Sequence, residues 1–418
     1  MIDTREELVN ALSEAAELEH GLLIQYLFAA FSMKRRVEEG ITPVQQALMV
    51  DWEGAILRVA QEEMYHLASV CNLLSAIGGA PQFGRPNFPQ PTKTSLVEED
   101  SYYPFDFQLE RVNDSTLYRF VVFELPEGEP PPEPPGPPEP AEAEGAVRAA
   151  PDPLVYSHVG ELYGQISEGF ERIPEGDLFI GPKPYQDVED WGLRMKIHVA
   201  KDLPSAQQAL EDIVLEGEGS PGAREGSHYD RFLRIREALR EERRKDPGFD
   251  PARPVVLNPQ TRRHRDAGEG ATLITHEVAR EVAELFNDIY SSMLLMLIQY
   301  YSYGGESAPQ RAILRDSCRR LMSAVVRPLA EVLTEMPATD DLDGGNAGPG
   351  FEIYSGMRLA PDRANRWTVL RERLRQEDED AAVLSRHADA FPVLARLRRI
   401  QEAMRGTLLN LATEFGGR

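Results

Sequence analysis

The stretch VAQEEMYHLASVCNLL, residues 59–74, has helical spacing and a carboxylate inside its apolar stripe. Positions three, four and seven apart share a helix face, and for Glu63 these are Ile56, Val59, Ala60, Leu67 and Val70, all apolar. Glu62 instead faces Arg58 and is expected to be solvated. His66 follows one turn after Glu63 and borders Val70 and Leu73, so the pair is an inward-facing E-x-x-H. The preceding helix repeats the anomaly, with Glu19 among Leu12, Ala15, Leu22, Leu23 and Tyr26. Two neighbouring helices thus aim one carboxylate each into a shared core, and no basic residue shares either inward stripe. An isolated buried carboxylate costs several kcal/mol or takes up a proton, so it needs a cation, a metal or a donor network. The absence of a basic partner points to a metal.

The rest of the chain decides whether more such helices exist. Residues 4–33 read as one helix, opened by Thr4 and Glu7 in capping-box spacing; 42–77 read as a second, stopped by Gly78-Gly79 and Pro81. Together they predict an antiparallel hairpin. TLYRFVVFEL, residues 116–125, reads as a strand of a small β element, and EGEPPPEPPGPPEPAEAEG, residues 127–145, as a linker with too much Pro and Glu to bury. Helical periodicity returns at 153–173, at 202–219 and from SHYDRFLRIREAL, where Ser227 is the expected N-cap. After a polar break near 244–270, helical segments follow at 273–303, 308–334, 363–384 and 389–414. The class is mainly α. Residues 1–243 are expected to form a metal-binding bundle with a Pro-rich insert at about 89–150, and 244–418 a helical region packed on it.

Helical bundles solve the buried-carboxylate problem by binding a metal pair, with single Glu residues from two helices and Glu-x-x-His from two more. Glu161 offers the next carboxylate, with Leu154 and His158 on its face and Val155, Val159, Leu162 and Ile166 beside it. Glu218 ends an apolar helix through Val214 and Leu215, and His228 leads the stripe Phe232, Ile235 and Leu239, giving a split version of the fourth pair. Each piece also has a plainer reading. E-x-x-H occurs often by chance, Glu161, Glu216 and Glu218 are also readable as solvated helix-face groups, and Tyr26 as packing. His20 and His158 read as core or edge histidines and His276 as surface; Glu284 and Glu331, alternative ligands, sit off their apolar stripes.

Charge and cysteine content remove other classes. With 69 acidic against 45 basic residues the formal charge is −24, unfavourable for binding nucleic acid phosphates or anionic lipid. The charged start MIDTREELVN and the short apolar run Gly21–Met33 lead us to expect a cytoplasmic protein without membrane contact. Cys71 and Cys318 are the two cysteines, and both read as small buried hydrophobes.

ELEHGLLIQYL, with Glu19 seven before Tyr26, and EEMYHLASVCNLLSAIGG resemble the first two helices of ferritin-like di-iron proteins. The ordered series ELEH…QYL, EEMYHL…NLLSAIGGAPQF, RPNFP, VGELYGQI, IVLEGEG and SHYDRF, continued by LFNDIYSSMLLML and GPGFE, is similar to the ferritin-like domain of iminophenyl-pyruvate dimer synthases of bisindole pigment biosynthesis. The likeness spans most of the chain except the Pro-rich insert. It implies a ferritin-like four-helix bundle with a small β-containing insertion and additional C-terminal helices. It also implies metal ligands at Glu19, Glu63, His66, Glu161, Glu218 and His228. Two iron ions are the implied cofactor, with manganese as the alternative, and dioxygen is the co-substrate. Such synthases are much longer than this chain, so the expectation is a non-haem di-iron oxidase or oxygenase with its own small, amino-acid-derived substrate, imine coupling being one form. Iron storage and a metal-free helical scaffold are the alternatives; the insert and the extra C-terminal helices argue against a shell-forming storage subunit. A homo-oligomer such as a dimer is compatible with all three.

Overall fold

The structure, a computed structural model, describes residues 1–90, 106–126, 128–135, 158–181, 186–187, 191, 197–217, 225–262, 270–302, 305–341, 343–354 and 358–413. The chain forms two compact units. The first comprises Met1–Gly79, Pro89–Asp190 and Met195–Ala252, and the second Ala80–Phe88, Trp191–Arg194 and Arg253–Arg418. No helix among the described residues is long and apolar enough to cross a membrane.

In the first unit α1 (Arg5–Phe31) and α2 (Pro43–Ala76) form the expected antiparallel hairpin. Capping boxes at Thr4/Glu7 and Thr42/Gln45 satisfy the first free N–H groups of each helix. Arg35 and Glu53 pair at 2.5 Å at one end of the hairpin, and a Cβ on Gly79 would stand 3.4 Å from Val9 at the other. From Leu18 to Tyr26 every residue of α1 is buried, as its nearly all-round apolar sequence requires of a central helix. The remaining helices are α3 (Asp114–Phe123), α4 (Val159–Arg172), the single turn α5 (Glu175–Leu178), α6 (Leu203–Gly217) and α7 (His228–Lys245). Helix α4 packs on α1 and α6, α6 and α7 pack on α2, and α3 packs on α7.

Of residues 116–125, expected as a strand, 116–123 belong to helix α3 and Glu124 is its C-cap. The run TLYRFVVF has strand propensity, but Asn113 caps a helix by accepting from Thr116 N at 2.9 Å, and Leu117, Phe120 and Val121 form one buried face. Phe120 packs edge-on to Tyr26 with ring centroids 4.7 Å apart and lies 5.2 Å from Phe232. Burial on a helical face outweighs the propensity of individual residues. Of the Pro- and Glu-rich stretch, residues 128–135 are described and carry no regular structure. They are fixed to α7, since the buried Arg236 donates from Nη2 to Glu133 O at 2.6 Å. Residues 127 and 136–145, the rest of the expected linker, lie outside the described residues.

The end of α2 is sealed tightly. Gly79 N donates to Leu74 O at 2.7 Å, Gly78 turns the chain with φ +83°, and Gly181 N reaches Ala76 O at 2.9 Å. A Cβ on Gly181 would fall 1.6 Å from Ser75 O, a backbone atom that cannot move aside cheaply. Gly181→Ala is therefore expected to destabilise the first unit by about 1–3 kcal/mol, read as a lowered unfolding midpoint. An unchanged midpoint would show that this contact does not fasten the helix end.

The second unit contains the short parallel pair β1 (Pro259–Gln260) and β2 (Thr272–Leu273) and the helices α8 (Glu277–Tyr301), α9 (Ala308–Leu321), α10 (Arg327–Leu333), α11 (Arg363–Leu384) and α12 (Leu397–Thr413). Helix α8 packs on α9, α10 and α11, and α12 covers α9 and α11. His276, expected at the surface, is the N-cap of α8, its Nδ1 accepting from Ala279 N at 3.3 Å. Three motifs that stood apart in the sequence meet here. Arg85 of RPNFP donates to Phe351 O at 2.7 Å, and Asn87 pairs with the backbone of Ile353 in both directions. Asn287 of LFNDIY exchanges hydrogen bonds with Glu352 of GPGFE, donating to Oε2 at 2.8 Å and accepting from N at 3.0 Å. Phe351, held at φ +48°, sits edge-on between Phe286 and Tyr290. These residues lock a core, so the three motifs have a packing role.

Candidate metal centre

Two overlapping clusters of buried ligand-type side chains lie inside the first unit: Glu19, Glu63 and His66, and Glu63, Glu124 and His228. Glu63 belongs to both. Its Oε2 lies 3.0 Å from His66 Nδ1 and its Oε1 3.0 Å from His228 Nδ1, so each oxygen serves one imidazole. Glu19 Oε2 lies 3.5 Å from His66 Nδ1, and Glu124 Oε2 lies 3.6 Å from His228 Nδ1. The two rings stack at 28° to one another, with centroids 5.5 Å apart. Each cluster therefore offers two carboxylate oxygens and an Nδ1, arranged about a shared carboxylate.

A second set of contacts fixes this core from behind. Tyr163 OH donates to Glu19 Oε1, and Tyr26 OH donates to Glu124 Oε1 at 2.5 Å, which leaves the Oε2 of each carboxylate facing inward. His66 Nε2 lies 3.0 Å from Glu216 Oε2, and His228 Nε2 lies 3.0 Å from Glu62 Oε2. Arg231, one turn into α7, also donates to Glu62. An outer carboxylate on each Nε2 sets the ring orientation and directs Nδ1 inward, the usual support of a metal-binding imidazole.

Protons on the imidazoles stand where metal charge would otherwise act. Burial works against charge on both rings, but Glu63 and the other carboxylates around them outweigh it and hold His66 and His228 well above the ordinary histidine value. Burial, and then the charge of Glu63, push Glu19 up to about 8. For Glu63 burial is opposed by the adjacent Glu19 carboxyl and by the charge of His228, and its carboxyl stays below the usual range. Even so, Glu19 Oε2 and His228 Nδ1 are buried with no hydrogen bond of good geometry. Unsatisfied buried donors and acceptors are costly, and these two face the inside of the clusters. The residues therefore fit a metal pair. Charge agrees: Glu19, Glu62, Glu63, Glu124 and Glu216 against Arg231 leave four negative charges, which two divalent ions balance with both imidazoles neutral.

Of the six ligands expected from sequence, the structure brings Glu19, Glu63, His66 and His228 together. Glu161 joins neither cluster. It stands half-buried in the first turn of α4, where its N–H donates to His158 Nδ1 at 3.1 Å, because the inward face of that helix is Leu162, Tyr163 and Ile166. Tyr163, two residues on, is the side chain that reaches Glu19. Glu218 lies outside the described residues. Glu62, expected to be solvated, is 9% exposed because His228 and Arg231 of α7 draw it inward. The carboxylate missed is Glu124. It follows Val121, Phe120 and Leu117 by three, four and seven residues, the phase rule that exposed Glu63, but a strand reading hides it.

A helical bundle enclosing a shared-carboxylate cluster defines a ferritin-like protein. The family model described as Ferritin-like matches residues 12–237, and the chain belongs to that family. It is similar to a dichlorochromopyrrolate synthase of Lentzea aerocolonigenes, 32% identical over 411 residues that cover 89% of this chain and 38% of that protein. It is also similar to a 2-imino-3-(indol-3-yl)propanoate dimerase of Chromobacterium violaceum, 27% identical over 401 residues that cover 92% of this chain and 37% of the relative. The chain thus spans under two fifths of the length of either relative. Among solved structures, a ferritin-like protein from Caulobacter vibrioides aligns with a TM-score of 0.48 at 21% identity, over 76% of this chain and 96% of that one.

Proposed function

We propose that the chain holds two iron ions between Glu19, Glu63, His66, Glu124 and His228 and uses them, with dioxygen, to oxidise a small amino-acid-derived metabolite in natural-product biosynthesis. The observation that carries this reading is Glu63, whose two oxygens each face one inward Nδ1 at 3.0 Å. An oxygen-rich set with one imidazole per position suits iron, and manganese nearly as well. The names of the two relatives, a synthase and an imine dimerase, support a biosynthetic reaction, with oxidative coupling of imines as its form.

Bound iron would supply the redox chemistry toward dioxygen. The chain's own residues do the rest. The phenols of Tyr163 and Tyr26 hold one oxygen of Glu19 and of Glu124, so each terminal carboxylate keeps a fixed orientation. Glu216 and Glu62 hold the Nε2 proton of His66 and His228 and keep each Nδ1 free of one. Leu22, Val159, Ile213 and Val214 wall the adjoining pocket with apolar surface and limit water at the reacting side.

Glu124→Ala is expected to lower bound iron from two ions per chain toward one, and Glu161→Ala to leave it at two, measured by elemental analysis after anaerobic loading. The activity is tested by giving the iron-loaded protein an aromatic α-imino acid generated in situ and following dioxygen uptake with product formation. Uptake and product that depend on iron and fall at least tenfold in Glu124→Ala are expected; equal turnover by metal-free protein would refute the assignment.

A further inference from the structure

We propose that the two metal positions are unequal, and that the Glu19–Glu63–His66 position exchanges metal and meets small solutes while the Glu63–Glu124–His228 position is closed. This rests on the metal reading above and adds an order to it.

A small pocket lies next to the centre, with room for about one water. Both Glu19 and His66 line it, together with the shared Glu63. Of the other position, Glu124 touches the pocket and His228 does not. Gly217 of α6 stands over Glu124, close enough that a Cβ there would be 3.2 Å from Oε2. The His228 side chain is 0% exposed.

The outer partners differ in the same sense. Glu216, behind His66, has a side chain 43% exposed at the end of α6, beside Leu215, which is 47% exposed. The Glu62 side chain, behind His228, is only 12% exposed and is also bound by Arg231. Release of an ion needs a ligand to swing away and a competitor to enter. On the His66 side the ring is held from behind by one exposed carboxylate, Glu216, whose movement into solvent frees His66 to swing. On the His228 side it takes rupture of a shielded ion pair and displacement of the first turn of α7.

The test is cobalt(II)-loaded full-length protein challenged with excess EDTA, with release followed by the visible absorption of cobalt and by elemental analysis. Release in two phases of one ion each, at least tenfold apart in rate, is expected. Glu216→Gln should accelerate the fast phase and leave the slow one, and Arg231→Met should accelerate the slow phase and leave the fast one. Glu216 is exposed, so its variant keeps the test decisive even if Arg231→Met fails to fold. Two ions leaving in a single phase would overturn the inequality while sparing the metal centre, and a reversed response of the two variants would overturn the assignment of positions. Failure to bind cobalt at all would overturn the metal reading itself.

Discussion

Glu63→Ala is expected to take the chain from two bound divalent ions to none, whereas loss of Glu19 or Glu124 should remove one. The difference follows from geometry: each Glu63 oxygen stands 3.0 Å from a different Nδ1, and both clusters contain this residue. Without it each position keeps one carboxylate and one imidazole, too few donors for tight binding. The metal-free protein should suffer as well. Glu63 is the main counter-charge of two buried imidazoles, and removing one partner of a buried charge group costs about 3–5 kcal/mol. Elemental analysis after iron loading, with a thermal unfolding curve, reads both effects. Retention of two ions by a folded Glu63→Ala protein would show that the shared carboxylate is not a ligand.

In the second unit, stability should fall as pH rises from about 4.5 to 7, and Glu377→Gln should remove most of that fall. Glu377 of α11 is 3% exposed; its Oε1 accepts from Ser292 Oγ at 2.6 Å and its Oε2 has no hydrogen bond. Burial pushes its carboxyl up to about 7 from an ordinary 4.5, against smaller opposing effects of Ser292 and of the Arg373 charge. A group whose folded pKa is raised favours the folded state most while protonated, so its contribution is complete below 4.5 and is lost as pH climbs through 7. A shift of this size corresponds to about 3 kcal/mol. The glutamine can still accept from Ser292 and stays neutral, so above pH 7 the variant should be the more stable protein, while below pH 4.5 the two should agree within about 1 kcal/mol. Hydrogen exchange of the α11 amides against pH measures this directly; parallel profiles for the two proteins would rule the carboxyl out as the cause.

The helices that build the centre were legible because burial imposes period and phase. Both helices of the hairpin, the inward Glu19 and Glu63, and His228 at the head of α7 follow from apolar residues recurring at three, four and seven. Glu124 was not legible for a local reason: its helix is ten residues long and built of β-branched and aromatic residues, so propensity spoke louder than phase. For Glu161 the apolar row of Val159, Leu162 and Ile166, not the carboxylate, marks the inward face, and Tyr163, one turn after Val159, shares that face. The inward turn of Glu62 depends on Arg231 and His228, which are 169 and 166 residues away along the chain, and no spacing within α2 reports such a contact. Periodicity sees the face a helix buries; it does not see which partner a residue at the edge of that face will find.

The most direct measurement is an anaerobic iron(II) titration of the intact protein, with bound metal counted after removal of excess. Saturation at two ions per chain, dropping to none in Glu63→Ala and unchanged in Glu161→Ala, is the predicted result. Saturation at one ion or none in the unaltered protein, or equal loss in both variants, would contradict a dinuclear centre built around Glu63.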